Sequence, residues 1–367
     1  MFKELERIGK KLTMKLTKYK LGDLIVQRRE KNNNYDVPIR GVSKDGFIPA
    51  KQKEADTSIY NVFYKYDFVF NPARMELNSI ALNLEYDKAL CSSLYEVFYV
   101  KDESVVLPEF LNLHIKRDEF ARHCDYIGLG SAREYCRFAN IAEFDIELPP
   151  IEVQEEIVEA DRLIKQSIRL NNQMIQNLEA TAQALYRKTF VENIDKENLP
   201  EGWRMGTIGD MLELQRGFDL PSQARVDGKY PIYTSTGIAE YHNEYKVEPP
   251  CIVTGRSGTI GEVFYSNEKC WPLNTTLWVK DFKGTPSFFV YYKLKELDLG
   301  KTVSGFAAVP TLNRNDVHMM ETVVPPKDIL LEFDSQMQII HNNLCCIEQE
   351  NEKLTELQSL LLAKMGQ

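Results

Sequence analysis

"LPPIEVQEEI" spans Leu148 to Ile157, and "VPPKDILLEF" spans Val324 to Phe333. In each, an apolar residue and a Pro-Pro pair close a β-rich region, and a long helical pattern begins. Proline is tolerated there because the first amides of a helix have no helical partner. The same junction written twice implies that the chain is a duplication, and the preceding segments follow suit. "YKLGDLIVQR" (Tyr19–Arg28) matches "GTIGDMLELQRG" (Gly206–Gly217). "YDVPIRGVSKDGFI" (Tyr35–Ile48) resembles "GKYPIYTSTGIAEY" (Gly228–Tyr241), and Val100-Lys101-Asp102 parallels Val279-Lys280-Asp281. Identities are sparse but their order is kept, which is how an internal repeat reads.

Each half has short alternating or β-branched runs separated by Gly, Asn and Pro turns, the pattern of strands. A short helix and a Gly-rich loop follow, "YIGLGSAREY" (Tyr126–Tyr135) in one half and "TVSGFAAVPTLN" (Thr302–Asn313) in the other. One more strand leads into the long helix. The first helix is expected over roughly 151–190, with Ile157, Ile164, Asn171, Leu178 and Leu185 at heptad spacing and Ile168, Met174, Ile175 and Ala182 filling the stripe. The second is expected over roughly 329–365, with Ile340, Ile347, Leu354 and Leu361 at that spacing and Met337, Leu344, Asn351 and Leu357 beside them. A helix of about 40 residues is about 60 Å long and must pack on something similar. Two readings stand: each is a core helix of its own domain, or the two pair as an antiparallel coiled coil. A seam asparagine near each midpoint, Asn171 and Asn351, suits pairing, since a buried Asn sets register; both amides facing solvent is the other possibility. The expected fold is α+β, two duplicated β-rich domains joined by two long helices in an antiparallel coiled coil. Its parts are a first domain at 1–147 (1–13 an N-terminal extension ahead of a natural-looking start at Met14), a helix at 148–193, a second domain at 194–323 and a helix at 324–367.

Composition excludes several classes. The 367 residues suffice for more than one core, with 43% hydrophobic and 27% charged residues, ordinary for a soluble protein. No apolar run reaches the roughly 20 residues of a membrane span, and the charged N-terminus has no signal-peptide core. The seven cysteines form no C-x-x-C pair and the five histidines no ligand-like cluster, so neither metal binding nor a disulfide framework is expected, and a cytoplasmic location is. No phosphate-binding glycine motif or nucleophile elbow occurs. "GRSGTIGEV" (Gly255–Val263) falls inside a strand pattern and reads as a turn or bulge, and "NPARM" (Asn71–Met75) as a turn. Catalysis is not written here. The net charge of −9 argues against a general nucleic-acid binder, although binding follows local charge.

A duplicated domain on a rod suggests a ruler that reads two marks on a regular object such as duplex DNA. Here a resemblance becomes specific. "GDLIVQRR" (Gly22–Arg29), "GDMLELQRG" (Gly209–Gly217), "GRSGTIGEVFY" (Gly255–Tyr265) and "CWPLNTTLWVKD" (Cys270–Asp281) carry it. So do "SGFAAVPTLNRNDV" (Ser304–Val317) and "LPPIEVQEEI" leading to "NLEATAQALYRKTFVEN" (Asn177–Asn193). The chain resembles the specificity subunit of type I restriction-modification systems over nearly its whole length. It departs at "GLGSAREYCRFAN" (Gly128–Asn140), where a Val-Pro-x-Leu-Asn loop is expected. The resemblance implies that each domain recognises one half of a split double-stranded DNA target and that the helices set the gap. It implies two modification subunits, which methylate adenine N6 with S-adenosylmethionine, docked on the helices, joined by restriction subunits with ATP-driven translocase and nuclease activity. This chain would bind no cofactor; S-adenosylmethionine, ATP and Mg would sit on the partners.

Arginine reads guanine and asparagine reads adenine by paired hydrogen bonds, while Lys, Ser and Thr more often hold phosphates. On those grounds the candidate DNA contacts are Arg256, Ser257 and Thr259 in "GRSGT", Thr311, Asn313 and Arg314 in "PTLNR", and Arg74, Ser131 and Arg133 in the first half. Arg28, Arg29, Lys31 and Arg216 are phosphate candidates. A reading from another class is a coiled-coil scaffold whose β-rich ends bind protein or sugar.

Overall fold

A computed structural model describes residues 16–33, 35–44, 46–50, 56–128, 135–192, 194–300 and 311–365. The 1–13 extension and the candidates Ser131 and Arg133 lie outside the described residues. The chain forms two compact units, residues 1–170 with 350–367 and residues 171–349. Each unit therefore takes one part of each long helix.

In the first unit, β1 (Thr17–Lys20) pairs antiparallel with β10 (Asp145–Leu148). A four-stranded sheet runs β2 (Ile25–Arg28), β9 (Glu96–Val100), β6 (Phe68–Phe70), β7 (Ile80–Leu82). A second runs β4 (Gly46–Pro49), β3 (Ile39–Ser43), β8 (Lys88–Cys91), β5 (Asn61–Tyr64), with β3 and β8 parallel. The helices α1 (Leu21–Leu24), α2 (Pro108–Ile115), α3 (Asp118–Gly128) and α4 (Phe138–Ala142) complete the body. Phe68 and Phe98 stack at 4.8 Å at the centre of a core that also holds Leu21, Phe110, Phe120 and Ile141.

The second unit repeats this plan. Strand β11 (Arg204–Thr207) pairs with β19 (Glu321–Val324). The four-stranded sheet runs β12 (Glu213–Arg216), β18 (Thr276–Asp281), β15 (Cys251–Gly255), β16 (Val263–Ser266). A three-stranded sheet runs β14 (Gly237–His242), β13 (Tyr230–Thr234), β17 (Trp271–Pro272), with β13 and β17 parallel. The short helices are α6 (Ile208–Met211), α7 (Ser287–Glu296) and α8 (Arg314–His318). Strand for strand, the two four-stranded sheets have the same order and the same antiparallel pairings.

The long helices are α5 (Ile151–Phe190, 40 residues), already under way at chain position 151 before α6, and α9 (Lys327–Lys364, 38 residues). In the first unit Val153 and Ile157 of α5 share a core with Leu361 and Met365 of α9, and Ile164 and Ile168 cluster with Leu354 and Leu357. Partners descend in number as α5 advances, so the segments run antiparallel. Gln358 Nε2 donates to Asp161 Oδ1 beside this seam at 2.8 Å. In the second unit Ala182 and Tyr186, with the half-buried Ile175, Leu178 and Leu185, pack with Phe333, Met337, Ile340 and Leu344. The order is again antiparallel. Ile347 is buried, while Asn171, in the second unit, and Asn351, in the first, are both half-buried. Met174, read as part of the stripe, is 51% exposed, because it falls one position short of the seam site that Ile175 occupies.

The start of α5 is tied to its β-rich body by Gln154, which has no exposed surface. Its Oε1 accepts from Leu107 N at 3.0 Å, and its Nε2 donates to Val105 O at 2.9 Å and Pro149 O at 3.0 Å. On α2, His114 is buried against Phe110, and its Nε2 has no hydrogen-bond partner. Burial, helped by the charge of Arg117, pushes its pKa down from 6.5 to about 3. The unfolded chain takes up a proton below pH 6.5 that the folded chain refuses, so stability is present at neutral pH and lost as pH falls through that value. At pH 5 the expected loss is about 2 kcal/mol. Hydrogen exchange of α2 amides at pH 7 and pH 5, with populations corrected for intrinsic exchange, measures it; a slope that persists in His114→Leu assigns the loss to another group.

Candidate nucleic-acid interface

In the second unit the β15–β16 connection begins at Arg256. The backbone N–H groups of Arg256 and Ser257 both donate to Thr275 O, at 2.9 and 3.1 Å, and Arg256 O accepts from Leu312 N at 2.8 Å. Ser257 also forms a bridge with Thr311. Thus "GRSGT" and "PTLNR", over 50 residues apart in the chain, meet. Gly255 is obligatory, since a Cβ there would lie 1.9 Å from Thr259 O. Gly258 and Gly261 adopt positive φ (84° and 102°), which lets the connection fold back on itself. Thr259 is exposed on its outer side. The tip of the β13–β14 hairpin, Thr234-Ser235-Thr236, lies alongside: Ser235 Oγ is 3.2 Å from where a Cβ on Gly258 would sit. The sequence reading passed over this tip. Its signal was the hydroxyl run ended by Gly237, a turn glycine with φ 103°.

The Asn313 amide is engaged within the chain. Its Oδ1 accepts from Asn315 N at 3.0 Å and its Nδ2 donates to Asp316 Oδ1 at 3.3 Å, so it serves as the N-cap of α8. Arg314, next to it, is exposed. Arg216 pairs with Asp219 at 3.3 Å, and Asp219 also accepts from Asn274 Nδ2.

In the first unit the corresponding β6–β7 connection, Asn71 to Ser79, contains a 3-10 turn. "NPARM" starts it: Asn71 Oδ1 caps Ala73 N at 3.1 Å. Asn78 closes it in the left-handed region (φ 51°), with its Nδ2 donating to Ile115 O at 3.3 Å. Ser79 Oγ donates to Val42 O at 3.0 Å, and Lys116 Nζ donates to Lys44 O at 2.7 Å, so this connection too lies beside a hairpin tip, that of β3–β4. Cys136 N donates to Pro72 O at 3.0 Å, bringing the start of the α4 segment to the same place. Arg74 is exposed on the turn and, with Arg40, Lys44 and Lys116, borders a groove of about 1260 Å³.

Among the first unit's phosphate candidates, Arg28 is engaged internally. Its Nε and Nη2 donate to the two oxygens of buried Asp67 at 2.6 and 3.0 Å, and its guanidinium lies over Tyr64 and Tyr99. Releasing it to a phosphate would leave the Asp67 carboxylate buried without its counter-ion. Lys31 Nζ donates to Asn61 Oδ1 at 2.7 Å and Ile59 O at 3.0 Å. Arg29 stays exposed, with Nε on Gln27 Oε1 at 2.8 Å. Among the described residues no group of His, Cys, Asp and Glu could hold a metal, and no helix is long and apolar enough to cross a membrane.

A duplicated β-rich body on antiparallel helices, with two connections and a hairpin tip gathered in each half, defines the class. The chain belongs to the family described as type I restriction modification DNA specificity domain, whose model matches residues 11–180 and again 200–359. It is 20% identical over 358 residues to the type I restriction enzyme HindI specificity subunit of Haemophilus influenzae, covering 71% of this chain and 77% of that one. Its fold is that of the S subunit of a type I restriction-modification system from M. genitalium (TM-score 0.64, 14% identity, 96% of both chains). It is also similar to a chain solved in a study of complex assembly and conformational transition of the type I R-M system (TM-score 0.54, 16% identity, 96% of this chain and 97% of that one). The duplication, the fold class and the specificity-subunit family read from the sequence therefore stand.

Proposed function

We propose that this chain is the address and spacer of a type I restriction-modification complex, contributing no chemistry of its own. Each β-rich body reads one half of a bipartite duplex target. The antiparallel helices hold the two readers at a set spacing and dock two modification subunits, with restriction subunits joining them. S-adenosylmethionine, ATP and Mg belong to those partners. The observation that carries this reading is the repeated topology: two bodies with the same sheet order each gather a hairpin tip and the same strand connection into one loop cluster. Reading by loops on a rigid sheet suits a domain whose specificity differs among relatives while its scaffold does not.

The net charge of −9 favours the scaffold reading instead. Single-molecule methylation sequencing of cells expressing this chain with its neighbouring modification subunit separates the two. The expected result is N6-methyladenine in both halves of a motif split by a constant unspecified gap. A soluble complex that produces no new methylation puts the scaffold first.

A further inference from the structure

We infer that Arg256 and Arg74 are the guanine-reading residues of the two bodies, one in each; this deepens the DNA-address reading and rests on it. The first observation is how the arginines are used. In the β-rich part of the first unit, Arg28 is held by Asp67, Arg29 by Gln27 and Arg40 by Tyr86. Arg117 and Arg122 are held by Glu119, and Arg137 by Glu96. Of the described arginines there, Arg74 alone has a side chain with no hydrogen bond or ion pair. In the second unit's β-rich part, Arg204, Arg216 and Arg225 pair with Asp210, Asp219 and Glu240. Arg256 and Arg314 remain without a partner among the described residues. The β-rich parts pair their other described arginines and leave these without a partner; Arg74 is exposed and Arg256 half-buried.

The second observation is position. Arg74 lies on the β6–β7 connection and Arg256 on the β15–β16 connection, and β6 and β15 hold the same place in sheets of identical order. The repeat already sets "YDFVFNPARMELNSIAL" (Tyr66–Leu82) opposite "PPCIVTGRSGTIGEV" (Pro249–Val263), and the sheet order agrees with that pairing. Both connections abut a hairpin tip. Arg314, by contrast, sits in the first turn of a short helix, and the arginine at the start of α4, Arg137, is paired with Glu96.

The third observation is rigidity. The backbone at Arg256 is held on both sides, by Thr275 O and by Leu312 N, and that at Arg74 by its bonds with Asn71, Asn78 and Ser79. A planar guanidinium on a fixed backbone is preorganised for the O6 and N7 acceptors that only guanine pairs on one major-groove edge. A mobile lysine or an arginine on a loose arm would suit a phosphate instead.

The test uses the complex with the modification subunit and the motif found by methylation sequencing. Arg256→Gln removes the requirement for one guanine in one half of the motif and leaves the other half unchanged; Arg74→Gln does the converse. A test that does not depend on a variant folding substitutes 7-deazaguanine, which lacks the N7 acceptor, for each target guanine in turn. Wild-type affinity falls about 10- to 100-fold at one guanine per half, and Arg256→Gln shows no further fall there. Uniform weakening on all sequences, with a salt slope reduced by about one, makes the arginine a phosphate contact and overturns the inference. Insensitivity of the wild type to every 7-deazaguanine also overturns it. A wild-type complex with no sequence preference at all sinks the DNA-address reading itself, a separate outcome.

Discussion

Tyr186→Ala destabilises the second unit by about 3–5 kcal/mol, the range for deleting a large buried aromatic. Tyr186 is fully buried on α5 and is ringed by Phe190, Phe289, Tyr292 and Phe333, with centroids 5.4 to 6.1 Å away. These rings come from α5, α7 and α9, so one side chain joins both long helices to the β-rich body within this unit. Its hydroxyl donates to Glu296 Oε2 at 2.5 Å. Burial, with the charge of Glu296, holds the phenol in its neutral form. Tyr186→Phe keeps the rings and loses one hydrogen bond, at about 1 kcal/mol. Hydrogen exchange resolved by segment reads the two units apart, and the first unit's protection is expected to hold in both variants. A Tyr186→Ala protein with unchanged protection in α7 and α9 would show that the ring cluster is not the joint.

Exchanging residues 198–323 for those of a relative with a different target rewrites one half of the methylation motif and leaves the other half and the gap as they were. The expectation follows from the units: β11 to β19 close on themselves through the β11–β19 pair, and the exchanged segment begins ahead of β11 and ends within β19, one residue from its close. The effect on the exchanged half is total, because every loop of that cluster is replaced. Methylation sequencing reads it directly. A chimera that is soluble and binds its partner, yet changes both halves, would place recognition outside the loop clusters.

The duplication and the long helices were legible because they are local patterns. A Pro-Pro junction and a heptad stripe each need only neighbours in sequence. The stripe misled at Met174, since a position beside the seam and a position in it differ by one residue. Parallel pairing of β3 with β8 was not legible, because nothing near Ile39 names Leu90 as its partner. The same distance hid the meeting of Ser257 with Thr311 and the pairing of Arg28 with Asp67, an acid 39 residues away. Asn313 shows a second use of the same residue type. Its amide suits adenine, yet "NRND" ahead of a helix is also a cap, and the cap is what the amide forms. Residue type does not show which side chains already have partners within the fold, which is why the arginines left unpaired carry more weight than those merely present.

Gln154 joins α5 to its β-rich body through Leu107 N, Val105 O and Pro149 O, all main-chain atoms. Such a joint is indifferent to spelling. Residues 105 and 107 can drift to other side chains and still present the same N–H and C=O, so the body can change its text without losing its seat. On the proposed function, that makes the mount a generic socket: the reading body can be rewritten without disturbing the rod that carries it.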